Sequence, residues 1–349
     1  MIHFIDEFPG RMLKIKGREY LYFGGTSYLG LQTNESFQKQ FIKNIKKYGT
    51  NYGASRIANV RISIFEKAEQ YLANLVGSEG CTTLSSGYLA GQFVAQFLKS
   101  NQHPFFYAPD THCALHQDKQ KKYPTFETLN TAVRAYLASA KNNVAPVVFI
   151  DAIDFTGCNY PDFESLKILP LDKVLLVVDD SHGIGIVGKN GGGVYKMVSK
   201  LNCLELLVCC SLGKGFGIQA GAVFGTKERI SQLTDTSFFG GASPAAPAAL
   251  ATLLDTKTIH ANNLKKLKNT IEYFTKNLEC PKKFHFMEGH PAFTFTDVRM
   301  AERLAANEII VTEFPYPDSE SQLMSRIILS AAHKKSDIER LLKSVHKSS

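Results

Sequence analysis

The sequence predicts an α/β protein with a mostly parallel central sheet, helices on both faces, and a smaller C-terminal α+β domain. Two observations support this fold class. From about residue 80, short apolar runs alternate with segments of helical periodicity, which is the pattern of parallel strands joined by helices. After about residue 244 the alternation stops, and a long basic helical stretch leads into a mixed pattern of strands and helices.

The individual elements follow from local patterns. Residues 20–23 have the composition of a strand, and a helix is predicted over 35–47 because apolar residues recur there in four-residue steps. Another helix is predicted over 64–75. Further predicted elements are strands at 81–84, 104–108, 147–150, 174–178 and 204–210, and helices at 88–98 and 244–257.

The change in pattern divides the 349 residues into three parts. Residues 1–40 are predicted to form an N-terminal arm and a segment of the small domain. Residues 41–243 would form the large domain and residues 244–349 the C-terminal small domain. A chain of this length can bury a large core and form two domains.

Charge and cysteine content narrow the classes of function. The net charge is +8, but no nucleic-acid reading motif accompanies it, and an anionic substrate or cofactor explains it equally well. No apolar run reaches membrane-spanning length, and the first residues, 1–6, lack the basic start and apolar core that a signal peptide has. Seven cysteines without a C-x-x-C pair indicate a reduced compartment. We therefore expect a cytoplasmic protein that binds neither nucleic acid nor membrane, and we predict no metal site.

The glycine-rich stretch 211–225 contains the candidate catalytic lysine. Lys214 follows the predicted buried strand 204–210 and lies among five glycines, which allow tight turns and close approach of a ligand. Desolvation or a neighbouring cation lowers the pKa of such an amine, so that it can form a Schiff base. The alternative is a flexible loop with a solvated lysine, and this stretch alone favours neither.

Polar residues also follow other predicted strands, and the carboxyl ends of parallel strands meet at the ligand crevice. Asp179 follows strand 174–178, where a carboxylate can keep a pyridinium nitrogen protonated. His182 lies three residues further on. His112 follows strand 104–108, where an imidazole could stack on a flat ring. The alternatives are ordinary caps and turns.

The turn 85–88, Ser-Ser-Gly-Tyr, lies between a predicted strand and a predicted helix. Helix N-termini attract phosphate through free N–H groups and the macrodipole, although the same turn is also an ordinary N-cap. The Gly-x-Gly-x-x-Gly spacing at 183–188 does not open a helix, so we discount it as a dinucleotide motif. Together, a lysine, a carboxylate, two histidines and a phosphate cradle at strand ends match pyridoxal 5′-phosphate (PLP).

Six short motifs then occur in order: Y-L-G-L at 28–31, G-A-S-R at 53–56, S-S-G-Y at 85–88, D-D-S-H-G at 179–183, S-L-G-K at 211–214 and R-I-I-L-S-A-A-H at 326–333. They resemble the motifs of the α-oxoamine synthases, PLP enzymes of fold type I that condense an amino acid with an acyl-CoA and release carbon dioxide. The resemblance covers about residues 20–342. It implies the fold of a type I PLP-dependent transferase, in which the large domain binds the cofactor.

The resemblance also implies a role for each matching residue. Lys214 would bind the cofactor covalently and then remove the α-proton of the amino acid. Asp179 would pair with the pyridine nitrogen, and His182 would hydrogen-bond the phenolic oxygen of the ring. His112 would stack on the ring face. The residues implied in phosphate binding are Ser86, Gly87, Tyr88 and Ser211.

On the substrate side, the resemblance implies that Arg326 clamps the carboxylate of the amino acid, as a guanidinium fork does. Ser27 and Tyr28 are the other predicted substrate-binding residues, and Ser27 replaces the Asn that the family has before Tyr-Leu-Gly. Family members are homodimers with the active site between the subunits. The resemblance therefore implies a homodimer.

Departures from the family leave the substrate open. Asp154 stands where the family commonly has a hydroxyl, and Gly240 and Gly241 replace two hydroxyl residues. One candidate activity is that of 8-amino-7-oxononanoate synthase, which joins L-alanine to a pimeloyl thioester of CoA or of a carrier protein in biotin synthesis. Another is a sister activity such as glycine C-acetyltransferase. A third possibility is an inactive PLP-binding subunit.

Overall fold

The computed structural model describes residues 2–117, 123–139, 144–155, 157, 159–316, 319–321 and 323–346. The chain forms two compact units. The larger comprises Gln40–Asp154 and Cys158–Thr256, and the smaller comprises Met1–Lys39, Phe155–Gly157 and Lys257–Ser349. Each unit contains a six-stranded sheet.

Strands and helices are numbered in chain order. The strands are β1 Met12–Ile15, β2 Arg18–Phe23, β3 Gly80–Leu84, β4 Phe105–Tyr107, β5 Val147–Asp151, β6 Leu175–Asp179, β7 Glu205–Ser211, β8 Gly221–Gly225, β9 His285–Phe286, β10 Ala292–Thr294, β11 Ile309–Pro315 and β12 Leu323–Ile328. The helices are α1 Glu35–Tyr48, α2 Ile64–Val76, α3 Gly87–Ser100, α4 Phe126–Ala138, α5 Tyr195–Val198, α6 Leu212–Gly215, α7 Lys227–Thr234, α8 Ser237–Gly241, α9 Pro247–Asp255, α10 Lys257–Lys276, α11 Val298–Ala306 and α12 Lys335–His346. None of these helices, which cover only the described ranges, combines the length and apolar composition that a membrane span requires.

The sheet of the larger unit has the strand order β3-β8-β7-β6-β5-β4. Strands β4 to β7 pair in parallel with one another, whereas β8 runs antiparallel to both β7 and β3. All strands of this sheet except β8 therefore point the same way, and their carboxyl ends share one edge. The mostly parallel sheet predicted from the alternating pattern is confirmed.

Apolar residues cover both faces of this sheet, which is why its strands occur in the sequence as continuous apolar runs. On one face, Phe149, Val177 and Leu207 from three neighbouring strands pack with Phe93 of α3 in a single core cluster. The intervening positions of the strands point to the opposite face and are equally buried, as at Val178, which is 0% exposed.

Strand β8 is an element that the sequence analysis missed, because its residues were taken as part of the glycine-rich stretch. All five residues are buried, and the strand lies between β3 and β7. A Cβ atom on Gly221 would lie 2.1 Å from the carbonyl oxygen of Ser86. Glycine is therefore required for the close approach of β8 to the turn that contains Ser86.

The larger unit ends at Thr256, and not at residue 243 as the sequence pattern suggested. Helix α9 packs on α2. The side-chain amide of Asn44 in α1 donates hydrogen bonds to Oγ1 of Thr252 and to Oδ2 of Asp255, each at 3.1 Å. These contacts hold α9 within the larger unit, so the smaller unit resumes only with α10.

The sheet of the smaller unit has the order β1-β2-β11-β12-β10-β9, with β2 and β11 parallel and the other pairs antiparallel. The segment after β12 is attached to β2 through a histidine. The N–H of Ser330 donates to Nδ1 of His333 at 3.0 Å, and Nε2 of His333 lies 2.9 Å from the carbonyl oxygen of Tyr22. The ring also stacks on Phe23, with centroids 4.0 Å apart.

Candidate active site

A cavity of about 260 Å³ lies in the larger unit, where the last residues of β5, β6 and β7 meet. The residues predicted to bind the cofactor or to catalyse all line it: Ser86, Gly87, Tyr88, His112, Asp179, His182, Ser211 and Lys214. The other lining residues within the described part of the chain are Ala114, Asp151, Ile153 and Ser181. The parallel strands bring these side chains together because they end at the same edge of the sheet.

Lys214 lies on the short helix α6, directly after β7. The hydroxyl of Ser211 caps this helix by accepting a hydrogen bond from the N–H of Gly213 at 3.3 Å. Nζ of Lys214 lies 2.8 Å from Nε2 of His182. The sequence placed both residues at strand ends but did not predict their contact. At this distance the amine of Lys214 and the imidazole of His182 can share a proton.

Asp179 is held at the end of β6 by a short chain of hydrogen bonds. Its Oδ1 accepts from the N–H of Ser181 at 2.8 Å, and the hydroxyl of Ser181 accepts from the N–H of Ser211 at 2.9 Å. These hydrogen bonds connect the ends of β6 and β7 beyond the last backbone pair of the two strands. The carboxylate is therefore fixed in direction, and Asp179 is only 8% exposed.

His112 is oriented by two hydrogen bonds. Its backbone N–H donates to Oδ1 of Asp151 at 3.0 Å, and its ring Nδ1 accepts from the N–H of Ala114 at 3.0 Å. An accepting nitrogen carries no proton, so the proton of the neutral ring lies on Nε2. Burial lowers the pKa of His112, Asp179 opposes this effect and Lys214 adds to it. The ring is therefore neutral at pH 7.

The turn before α3 has the chemistry of an anion site. Ser86 is the N-cap, and its hydroxyl accepts a hydrogen bond from the N–H of Leu89 at 3.1 Å. Ser86 and Gly87 both line the cavity, so the positive end of the helix dipole lies there. A Cβ atom on Gly87 would lie 2.6 Å from Cβ of Ser211, so glycine is required at this contact.

The predicted substrate-binding residues, Ser27, Tyr28 and Arg326, lie in the smaller unit. Arg326 is on β12, directly opposite Thr294 of β10 and Thr312 of β11. Tyr28 is fully buried, and this burial raises the pKa of its hydroxyl. Burial also lowers the pKa of Arg326 to about 10, so the guanidinium remains charged at neutral pH.

The family model described as aminotransferase class I and II matches residues 26–345. The chain belongs to this family. The match includes every residue predicted for the cofactor and the substrate, in both units.

The curated relatives of this chain include 8-amino-7-oxononanoate synthases. The enzyme of that name from Nitrosococcus oceani is 26% identical over 359 residues, which cover 96% of this chain and 93% of the relative. The one from Thermosipho melanesiensis is 24% identical, over 99% of this chain and 92% of the relative. The resemblance to the α-oxoamine synthases is confirmed over nearly the whole chain.

Known structures share the fold of this family member. A serine palmitoyltransferase from S. paucimobilis matches with a TM-score of 0.81 at 17% identity, over 99% of this chain and 91% of that one. The 8-amino-7-oxononanoate synthase from Francisella tularensis matches with a TM-score of 0.73 at 21% identity, over 94% and 97%. The predicted fold of a type I PLP-dependent transferase is confirmed.

The predicted cofactor, PLP, is confirmed by the family, and the cavity offers the groups that this cofactor needs. A primary amine at Lys214, a largely buried carboxylate at Asp179 and a helix N-terminus at Gly87 lie around one space. An aldehyde, a pyridine nitrogen and a phosphate are the groups that these three bind. The residues of this aminotransferase-family site therefore fit the cofactor.

Asp151 is a lining residue that the sequence analysis missed. It ends β5 beside Asp179 in the parallel ladder, and its carboxyl group holds the backbone of His112. Burial raises the pKa of Asp151, and the neighbouring carboxylate of Asp179 raises it further. The rule that found Asp179 could have found it, because Asp151 also follows an apolar strand; the predicted strand 147–150 simply ended before it.

The departures from the family lie in the larger unit, Asp154 in the segment after β5 and Gly240 and Gly241 at the end of α8. Oδ2 of Asp154 accepts a hydrogen bond from the N–H of Asn159 at 3.2 Å, and Asp154 is not among the described residues that line the cavity. The carbonyl oxygen of Gly240 accepts one from the hydroxyl of Ser55 at 2.6 Å. The first bond therefore holds the segment after β5, and the second joins α8 to the segment that contains Ser55.

Proposed function

We propose that this protein catalyses the decarboxylative condensation of an amino acid with an acyl thioester. More closely, we propose the reaction of 8-amino-7-oxononanoate synthase, with L-alanine and a pimeloyl thioester of CoA or of a carrier protein as substrates. One observation carries the proposal: Lys214, Asp179, His112 and His182 surround one cavity. The chain that places these residues around the cavity resembles two 8-amino-7-oxononanoate synthases, over 96% of its length for one and 99% for the other.

When bound, PLP supplies an electron sink that stabilises negative charge on the α-carbon of an amino acid. Lys214 would hold the cofactor covalently through Nζ. Once the amino group of the substrate has displaced it, the same amine would take the α-proton. His182 lies 2.8 Å from that amine and offers a second position for the proton.

Asp179 and His112 would orient the cofactor ring from its edge and its face. A buried carboxylate next to a pyridine nitrogen raises the pKa of that nitrogen and so keeps it protonated. The neutral imidazole of His112 can stack on a cationic ring without bringing a second positive charge beside it. The N–H groups at the start of α3, from Gly87 onward, and the hydroxyl of Ser211 would bind the phosphate.

Arg326 would hold the carboxylate of the amino acid, with Ser27 and Tyr28 as the other substrate contacts. Its guanidinium is charged at neutral pH because its pKa, although lowered by burial, is about 10. In the reaction, a carbon–carbon bond forms between the α-carbon and the acyl carbon, and the thiol leaves. The carboxylate is then lost as carbon dioxide, and a proton replaces it, so the product is an amino ketone.

Two alternatives remain, a sister activity such as glycine C-acetyltransferase and an inactive PLP-binding subunit. The names of the curated relatives favour L-alanine and a pimeloyl thioester, whereas the serine palmitoyltransferase structures share the fold with this chain at 17% identity. We further propose a homodimer with the active site between the subunits. A cytoplasmic location is supported by the unpaired state of the cysteines within the described ranges.

Replacement of Lys214 separates an enzyme from an inactive subunit. Borohydride reduction followed by peptide mapping is expected to find the cofactor on Lys214. Lys214→Ala is expected to lower the turnover of amino acid and acyl thioester by at least about 10³-fold, because it removes both the covalent attachment and the base. Lys200→Ala changes an exposed lysine and serves as the control. Undiminished turnover by Lys214→Ala protein would refute the mechanism.

A substrate screen tests the finer proposal. L-alanine, glycine and L-serine are each paired with acetyl-CoA, pimeloyl-CoA, pimeloyl carrier protein and palmitoyl-CoA, and the release of free thiol is measured. The largest kcat/KM is expected for L-alanine with a pimeloyl thioester. A larger value for glycine with acetyl-CoA would assign the sister activity instead, and no thiol release with any pair would support the inactive subunit.

A further inference from the structure

Arg326 carries a buried donor that no described residue satisfies. Its Nε is closed to solvent and makes no hydrogen bond within the described ranges. Oγ1 of Thr294 is in the same state, and Thr294 lies directly opposite Arg326 on the neighbouring strand, on the same face of the sheet. Buried polar groups without a partner are rare in folded proteins. Two of them side by side indicate a place for a polar ligand.

The guanidinium of Arg326 is held by an aromatic ring, and no described carboxylate forms an ion pair with it. Its Cζ lies 3.5 Å from the centroid of the Phe155 ring. That ring in turn meets the buried ring of His290 edge-on, with centroids 5.9 Å apart. Stacking of this kind fixes the guanidinium plane through its face and leaves the in-plane N–H groups directed away from the ring.

The backbone at Phe155 is in a conformation that a bulky residue adopts at a cost. Its φ is 58°, in the left-handed region that favours glycine. Such a conformation persists only where the surrounding structure over-determines it, and it occurs frequently at ligand sites.

We propose that Phe155 is a specificity-determining residue for substrates that carry an α-carboxylate. Its ring fixes the plane of the Arg326 guanidinium, so that the in-plane N–H groups and the hydroxyl of Thr294 bind the carboxylate together. This inference rests on the proposed function, because it requires that an amino acid binds at Arg326. It goes beyond that function by assigning the choice between an amino acid and the corresponding amine to one aromatic side chain.

The test compares amino acids with the amines that lack only the carboxylate. L-alanine with ethylamine, glycine with methylamine and L-serine with ethanolamine are titrated into the holoenzyme, and binding is read from the absorbance of the bound cofactor. Phe155→Leu is expected to weaken amino-acid binding by about tenfold and to change amine binding by less than about twofold. Phe155→Tyr keeps an aromatic ring at this position and is expected to keep the wild-type preference for the amino acid.

The control is the same substitution on a ring that does not contact Arg326. Phe286 lies in the same unit and is 38% exposed, so Phe286→Leu is expected to alter neither affinity. The inference alone is overturned if Phe155→Leu keeps the wild-type preference, if it weakens amines and amino acids equally, or if Phe155→Tyr behaves like Phe155→Leu. Wild-type holoenzyme that responds to no amino acid would instead overturn the proposed function, and the inference with it.

Discussion

His333 makes the stability of the smaller unit depend on pH. Its Nδ1 accepts a hydrogen bond from the N–H of Ser330, and its Nε2 lies within hydrogen-bond distance of the carbonyl oxygen of Tyr22. If Nδ1 were protonated, its N–H would face the N–H of Ser330, and two hydrogen-bond donors would point at each other. The side chain is also 8% exposed, so a charged ring would have little water around it. Both effects favour the neutral form in the folded state.

The size of the effect follows from the pKa. Burial lowers the pKa of His333 to about 4 from an ordinary value of 6.5. Between about pH 6.5 and pH 4 the unfolded chain therefore binds a proton that the folded chain does not, and acid favours unfolding. The contribution of the neutral His333 ring to the free energy of unfolding is complete above pH 6.5 and is lost as the pH falls to about 4. Since tenfold in proton affinity corresponds to about 1.4 kcal/mol, the free energy of unfolding falls by about 3 kcal/mol.

Urea unfolding at several pH values between 4 and 7.5 measures this dependence. His333→Gln removes the titrating ring, so the variant is expected to be less stable than wild type at pH 7. The difference between them is expected to shrink by about 3 kcal/mol as the pH falls to 4. His285→Gln, at an exposed position of the same unit, is expected to keep the wild-type pH dependence. The same acid dependence in wild type and His333→Gln would refute the reasoning.

Two further substitutions test the cavity and the core of the larger unit. Gly87→Ala places a Cβ atom 2.6 Å from Ser211 and is expected to weaken PLP binding by about tenfold or more. Fluorescence titration of the apoprotein with PLP measures this affinity. Gly53→Ala is the control and is expected to have no effect, because a Cβ atom on Gly53 would have nothing within 4 Å. Phe93→Ala empties a 1% exposed position and is expected to lower the free energy of unfolding by about 3 to 5 kcal/mol, whereas Leu204→Ala, at 57% exposure, is expected to change it by less than about 0.5 kcal/mol.

The helices and strands that were predicted for the larger unit are found because each has its own periodic or continuous apolar pattern, whereas helices α4 and α7 of that unit were not predicted. The helix predicted over 64–75 is found at Ile64–Val76, and the strand predicted over 204–210 is found at Glu205–Ser211. Strand β8 was not predictable in this way. Its five residues begin and end with glycine, and the strands that bury it, β3 and β7, come from separate parts of the chain.

The candidate site was predictable in its chemistry but not in its contacts. Lys214 and Asp179 follow apolar runs, and parallel strands that end at one edge bring such residues to one place. The 2.8 Å approach of Lys214 to His182 depends on how α6 packs against the turn after β6, which no local pattern encodes. Asp151 was overlooked because the predicted strand ended at residue 150. The boundary at Thr256 was missed because the hydrogen bonds of Asn44 connect helices that are distant in sequence.

The order of the motifs was enough to identify the family, the fold and the cofactor, because those follow from which chemical groups stand at strand ends and in what succession. The state of those groups required the folded chain. His112 is neutral because it is buried, and the Arg326 guanidinium is held by Phe155 because β12 and the residues after Asp154 pack in the same unit. Burial and long-range proximity depend on how all the elements pack at once, and it is burial and proximity that set a pKa or aim a side chain.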